Sequence, residues 1–322
     1  MTTMLEAGML PAMRELHVSN DILDDRAALE AAWEHDGYWF FRDVLDSDAV
    51  GRLRSVFLNE LSQLGVIDPD DPLARYNGRS LEDFPFRMEP LAKRGIWKPF
   101  VAEPAIRRFF SRLLADDPFW IPTVEYRATP PVQDRSRARF DYVHQDGFYN
   151  AGIPFAICWI PPAEIDSDVG GLVLAEGLHK GPYLHDLSQP PLFPVPHDAV
   201  PPHVWRRTTY RPGDVVIMHL NIPHTGVANH SDRFRLSMDI RVMAASGDTP
   251  IIGRITSISQ REVAVQGEDG RSGTFALDDS TYCRGLDGRK VPVDEIALHF
   301  HAGDEVILAS RDGRVTVLRP PH

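Results

Sequence analysis

The chain has 322 residues, 43% hydrophobic and 25% charged, the balance of a globular protein that buries a large core rather than of a disordered or membrane-embedded one. Its 46 acidic against 34 basic side chains give a net charge of −12, which repels phosphate backbones and argues against nucleic acid as the main partner. Two cysteines, Cys158 and Cys283, are too few for a disulfide framework, and no apolar run is long enough to span a bilayer, so a cytoplasmic protein without a membrane partner is expected.

Residues 1–20 lack the basic stretch and uninterrupted apolar run of an export signal. Asp24 to His35 carries a helical pattern that Gly37 stops, and Tyr38-Trp39-Phe40-Phe41 reads as an aromatic strand. From Ser47, read as the N-cap, to Gly65, the residues Val50, Leu53, Val56, Phe57, Leu61 and Leu64 recur at three- and four-residue steps, which predicts a core-facing helix. Residues 66–98, with Arg87, Met88 and Trp97, read as a long polar loop. Pro104 opens a further helix through Ile106, Phe109, Phe110, Leu113 and Leu114 that ends before Pro118.

At Phe119 the texture changes to short strand-like runs broken by Pro and Gly: Thr123 to Thr129, Phe140 to His144, Phe155 to Ile160, Gly171 to Ala175, Trp205 to Tyr210, Val215 to Leu220 and Phe234 to Met243. Many short strands without alternating helices exclude a parallel βαβ sheet and point to a jelly roll, the cupin-like double-stranded β-helix, with the N-terminal helices as support. Residues 182–204 are rich in proline and too long for a bare connection, so a lid or wall is expected there. After residue 249, strands at Ile251 to Ser257, Val263 to Gln266, Thr274 to Leu277, Glu305 to Leu308 and Val315 to Leu318 alternate with turns at Glu268-Asp269-Gly270, Asp287-Gly288 and Asp312-Gly313. The expected organisation is therefore one domain over 1–249 and a small OB- or SH3-like β-barrel over 250–322. That barrel has no excess of basic residues, and self-association through it is left open.

Thirteen histidines invite a search for a metal site. His144-Gln145-Asp146 offers an imidazole and a carboxylate two residues apart at a strand end. His224, just after the run Val215 to Leu220, can complete a two-histidine, one-carboxylate face that leaves open positions on Fe(II). His-x-Asp alone is weak: His230-Ser231-Asp232 is a second copy, which would need His299 or His301 as its partner. His179, His185, His197, His203 and His219 lack consistent ligand partners and read as structural or lid residues.

The stretches HDGYWFFRDVLDSDAVGRLR, YVHQDGFYN, CWIPPAEIDSDVGGLVLAEGLHKG and GDVVIMHLNIPHTGVANHSDRFRLSMDIRV resemble the phytanoyl-CoA dioxygenase family of Fe(II)/2-oxoglutarate oxygenases over most of residues 20–245. The resemblance implies an oxidoreductase that uses Fe(II), 2-oxoglutarate and O2, with His144, Asp146 and His224 as metal ligands and catalytic centre. In that family an arginine eleven residues after the distal histidine binds the far carboxylate of 2-oxoglutarate, and Arg235 stands at that spacing. Arg233 and Arg241 are the alternative anchors, and pairing of Arg235 with Asp232 is the structural alternative. Trp159 matches a family tryptophan beside the cosubstrate. The family's serine two positions past the distal histidine is Gly226 here, and Thr225 is the nearest hydroxyl that could substitute. Because Asp146 is retained, the vacant ligand position of related halogenases is missing, which disfavours halide transfer.

The expected activity is hydroxylation of a C–H bond in a small organic molecule, as in natural-product tailoring, with release of succinate and CO2. Tyr126, Arg127 and Phe148, together with 66–98 and 182–204, are expected to touch the substrate. An enzyme on the same fold that does not use 2-oxoglutarate, and a non-catalytic metal- or 2-oxoglutarate-binding sensor or assembly module, remain the alternatives.

Overall fold

The structure, a computed structural model, describes residues 13–85, 88–131, 142–150, 152–285 and 289–321. Arg87, the first two positions of the strand expected at Phe140 to His144, and the Asp287-Gly288 turn lie outside the described residues. The chain forms two compact units. One comprises Met1–Ala115, Val124–Phe148 and Ala156–Ile240; the other comprises Asp116–Thr123, Tyr149–Phe155 and Arg241–His322.

The first nine strands are β1 Arg14–Glu15, β2 Tyr38–Phe41, β3 Pro118–Thr129, β4 Ala156–Ile160, β5 Gly171–Ala175, β6 Trp205–Arg207, β7 Val215–His219, β8 His224–Val227 and β9 Arg235–Ala244. They make a five-stranded sheet in the order β2-β7-β4-β9-β3 and a four-stranded sheet in the order β1-β6-β5-β8. Successive strands alternate between the two sheets at β4 to β5, β6 to β7 and β8 to β9, which is how a jelly roll winds. Residues after Arg241 add β10 Ile251–Ile258, β11 Glu262–Gly267, β12 Ser272–Ala276, β13 Tyr282–Arg284, β14 Lys290–Val291, β15 Glu305–Arg311 and β16 Arg314–Arg319. These pair in the order β12-β11-β10-β15-β16-β13-β14, and a further β12–β16 pairing closes the small barrel around Ile255, Val263, Val306 and Leu318.

The helical layer follows the apolar spacing. The helix Ser47–Gln63 buries Val50, Leu53, Phe57 and Leu61 on one face, but its cap is Asp46 rather than Ser47, because the Asp46 carboxylate accepts from Ala49 N–H at 2.9 Å. The stretch expected to be loop holds two short helices, Glu89–Lys93 and Trp97–Ala102. Helix Arg26–Asp36 ends at Gly37 with φ +81°, where the amide returns to Trp33 O and the chain turns straight into β2. A Cβ at Gly37 would fall 2.4 Å from His179 Nδ1. No helix among the described residues is long and apolar enough to cross a membrane.

The left-handed backbone and the imidazole together exclude a side chain at Gly37. Gly37→Ala is expected to destabilise the protein by about 2 kcal/mol, read as a lower midpoint in thermal or urea unfolding.

Candidate metal centre

The site is assembled by backbone pairing. His144 and His224 form an isolated antiparallel bridge, with His144 N–H donating to His224 O at 3.0 Å and His224 N–H to His144 O at 2.9 Å. Directly opposed residues in such a pair carry their side chains on the same face, so the two imidazoles are brought together, ring centroids 4.3 Å apart. Phe148 N–H then closes a turn onto Gln145 O at 3.0 Å, and the short helix Asp146–Tyr149 starts with Asp146 facing back toward the rings. One donor atom each from His144, Asp146 and His224 lies within 4.8 Å of the others, and His144 Nε2 is 3.5 Å from Asp146 Oδ1.

Both imidazoles are fixed in the tautomer a metal needs. His144 Nδ1 donates to Tyr142 O and His224 Nδ1 to Ile222 O, each at 3.0 Å, so each ring carries its proton on Nδ1 and turns the Nε2 lone pair inward. Burial first, and then the neighbouring His144, hold His224 down at about 3, so it is neutral at any working pH. Cis ligands at about 2.1 Å from one ion stand about 3 Å apart, so these donors would draw together to bind a cation. Two imidazoles and one carboxylate are a donor set that fits Fe(II).

A second group, His17, Asp36 and Glu176, also has donors within 4.8 Å of each other. There Glu176 Oε2 already accepts from Tyr38 OH at 2.9 Å and Arg206 Nε at 3.0 Å, so its lone pairs are taken. The second His-x-Asp copy does not assemble: His230 is exposed, Asp232 pairs with Arg75, and His299 and His301 make local pairs with Glu295 and Asp304.

The inner rows of β3 and β9 supply the charged groups. Alternation places Glu125, Arg127 and Thr129 on one face of β3, and Arg235, Ser237 and Asp239 on one face of β9. Arg235 is buried and donates from one guanidinium nitrogen to Val227 O at 2.8 Å and from the other to Thr129 Oγ1 at 3.1 Å. Val227 is three residues along β8 from His224, or roughly 10 Å of strand. Arg233 instead bridges to Asp166 at 2.9 Å, and Arg241 donates to Thr123 O. Arg127 pairs with Asp239 at 3.2 Å; burial works to lower its pKa, but Asp239, Glu125 and Asp146 together raise it.

Three expected contacts are placed differently from the rest. Tyr126 points away from Arg127, packs on Phe57 and accepts from Trp97 N–H at 2.8 Å, so it belongs to the helix–sheet core rather than to a substrate wall. Thr225 faces opposite His224 on β8, its hydroxyl near Gly226 O, so it does not replace the missing serine; Gly226 is the position on the His224 face. Trp159 is buried edge-on against Tyr210, ring centroids 4.7 Å apart.

Phe148 stacks on His185 at 3.9 Å with 11° between the rings, and meets Tyr183 and Phe193 edge-on. His185 thus brings the proline-rich segment onto the metal turn, and its Nε2 accepts from Gln145 N–H at 3.2 Å. Burial leads in lowering the pKa of His185, which keeps it a neutral acceptor. Gln145, Asn221 and Asp239 were invisible as site residues in the sequence, because no motif spacing marks them.

No known family profile matches the chain. It is 28% identical over 240 residues to the 1-deoxypentalenic acid 11-beta-hydroxylases of Streptomyces arenae and Streptomyces exfoliatus, covering 70% of this chain and 83% of each relative. Among solved structures, EvdO2 from Micromonospora carbonacea var. aurantiaca complexed with 2-oxoglutarate matches 69% of this chain and 91% of its own, at 19% identity and a TM-score of 0.48. The epimerase SnoN in complex with Fe3+, alpha ketoglutarate and nogalamycin RO matches 69% and 86%, at 19% identity and a TM-score of 0.46.

His224 at about 3 and His219 at about 4 are both depressed chiefly by burial. The unfolded chain takes up protons on these rings near pH 6.5 while the fold does not, so the stability they contribute is present above pH 6.5 and is lost as pH falls toward 4. The metal-free protein is expected to unfold at a lower temperature at pH 5 than at pH 7.5. His219→Gln, which keeps an acceptor for Asn221 N–H, is expected to flatten that dependence in paired melting curves.

Proposed function

We propose that the protein is an Fe(II)- and 2-oxoglutarate-dependent dioxygenase that hydroxylates a C–H bond of a small organic molecule. His144, Asp146 and His224 hold the metal, and Arg235 binds the distal carboxylate of the cosubstrate. The carrying observation is the convergence of three donors with both imidazole Nδ1 atoms already spent on carbonyls. The sequence likeness to two hydroxylases supports the same reaction type. Fe(II) bound with 2-oxoglutarate and O2 would supply the oxidant that removes hydrogen from carbon, and succinate and CO2 would be released.

The chain's own residues prepare that chemistry. His144 and His224 turn Nε2 inward with Nδ1 held by a carbonyl, and Asp146 offsets one positive charge. Arg235 is held by Val227 O and Thr129 Oγ1, so its planar fork is oriented before a dicarboxylate arrives, and two parallel hydrogen bonds fix the far end of the cosubstrate. Trp159 and Tyr210 pack the sheet interior, and Arg127 and Phe148 border the open side where the substrate rests. The aromatic cluster of Phe148, Tyr183, His185 and Phe193 keeps water from one flank. The working partner is a small molecule rather than nucleic acid or membrane, and the setting is cytoplasmic.

Anaerobic addition of Fe(II) and 2-oxoglutarate is expected to produce the visible charge-transfer band of a chelated keto acid, and aerobic turnover to release succinate. His144→Ala should weaken Fe(II) binding by more than about 100-fold. Arg235→Ala should retain iron while losing about 10- to 100-fold in 2-oxoglutarate affinity. Binding of both ligands without succinate under any substrate would identify a sensor and overturn the enzymatic reading.

A further inference from the structure

Gln145 sits between two metal ligands in sequence, yet its amide is turned outward from them into protein. It is fully buried, at 0% exposed. Nε2 donates to Asn221 O at 2.8 Å, and Oε1 accepts from Leu184 N–H at 2.8 Å. Its own backbone N–H goes to His185 Nε2. A buried amide is costly unless it is bonded, and here each end is used on a different segment. One end holds the turn that leads into His224, and the other holds the head of the proline-rich segment.

The surroundings leave that junction little slack. Gly147 N–H donates to Leu220 O at 2.7 Å, and a Cβ at Gly147 would fall 2.0 Å from Asn221 Oδ1 and 2.9 Å from Tyr183 Oη. Val195 N–H donates to Val143 O at 2.8 Å, and Val195 and Val200 join the core with Val143, Val173 and Val227. The segment is therefore anchored at both ends, while its tip presents the exposed apolar side chains Leu187 at 69% and Leu192 at 41%. Exposed apolar side chains of this kind suit an apolar ligand face.

We propose that Gln145 is a positioning residue that couples this wall, residues 183–193, to the state of the metal centre. This rests on the oxygenase reading above. When His144 and Asp146 are committed to a cation, the peptide between them is immobilised. The two acceptor and donor contacts that Gln145 makes to Leu184 and His185 then hold the wall against a rigid partner. Coupling of this kind requires contacts that differ between the two states, and these are the contacts that change stiffness on loading. The wall is thereby firmer beside a loaded metal than beside an empty one.

Hydrogen exchange of the full chain, with and without Zn(II) plus 2-oxoglutarate as a redox-inert load, tests this. In the wild type, exchange across 183–193 is expected to slow about tenfold on loading. Gln145→Met keeps the side-chain length without donor or acceptor. It should still bind Zn(II), while the slowing falls below about twofold. Leu184→Pro, which deletes the donor from the wall's side, should behave in the same way and serves if Gln145→Met does not fold. A purely structural amide would instead speed exchange equally in the free and loaded protein. That equality, undiminished slowing in the variants, or no slowing in a wild type that has bound Zn(II), overturns the coupling. A wild type that binds neither Zn(II) nor 2-oxoglutarate overturns the oxygenase reading and the coupling together.

Discussion

Everything at the site depends on one reciprocal pair of backbone hydrogen bonds, between His144 and His224. The two residues are far apart in sequence and belong to no shared helix, so nothing local could place two imidazole rings 4.3 Å from each other. The bridge does so because the jelly roll returns β8 beside the turn that precedes Asp146, and because strand pairing forces opposed side chains onto one face. The geometry is then passed outward: each ring is pinned by a carbonyl two residues upstream, and the carboxylate by a helical turn closed on Gln145.

The interior around this bridge is unusually charged for a core. Arg127, Asp239 and Arg235 are all largely enclosed, and each is met by a partner rather than by solvent. Removing charges from water is tolerable only when they are paired and hydrogen-bonded, and the alternation of β3 and β9 sets their positions so that this happens. The same alternation sends Tyr126 and the intervening apolar residues into the opposite layer, where Phe57 and the Trp97 amide receive them. A single period-two pattern thus separates a charged face of the strands from an apolar support.

Much of this was legible before any coordinates. The helix from Ser47 showed in its apolar spacing, the short strands in their punctuation by Pro and Gly, and the convergence of His144, Asp146 and His224 in their order along the chain. What was not legible depended on information that linear spacing does not carry. Ser47 and Asp46 are both good caps, and only the bond to Ala49 N–H decides between them. Thr225 looked like a substitute hydroxyl because it is adjacent to His224, but adjacency on a strand means the opposite face. Gln145 had no signal at all, since a residue whose importance lies in joining three separate segments leaves no local pattern.

The tip of the proline-rich segment has its own internal economy of bonds. Asp186 N–H donates to Pro194 O, Gln189 N–H to Asp186 O, and Phe193 N–H to Gln189 O, while the Asp186 carboxylate takes the Ser188 hydroxyl and the Gln189 amide. Residues 186–194 therefore carry bonds of their own in addition to the contact of Phe193 with Phe148. Exchanging an outward side chain such as Leu187 therefore changes the exposed face of the tip while leaving the bonds that close it in place.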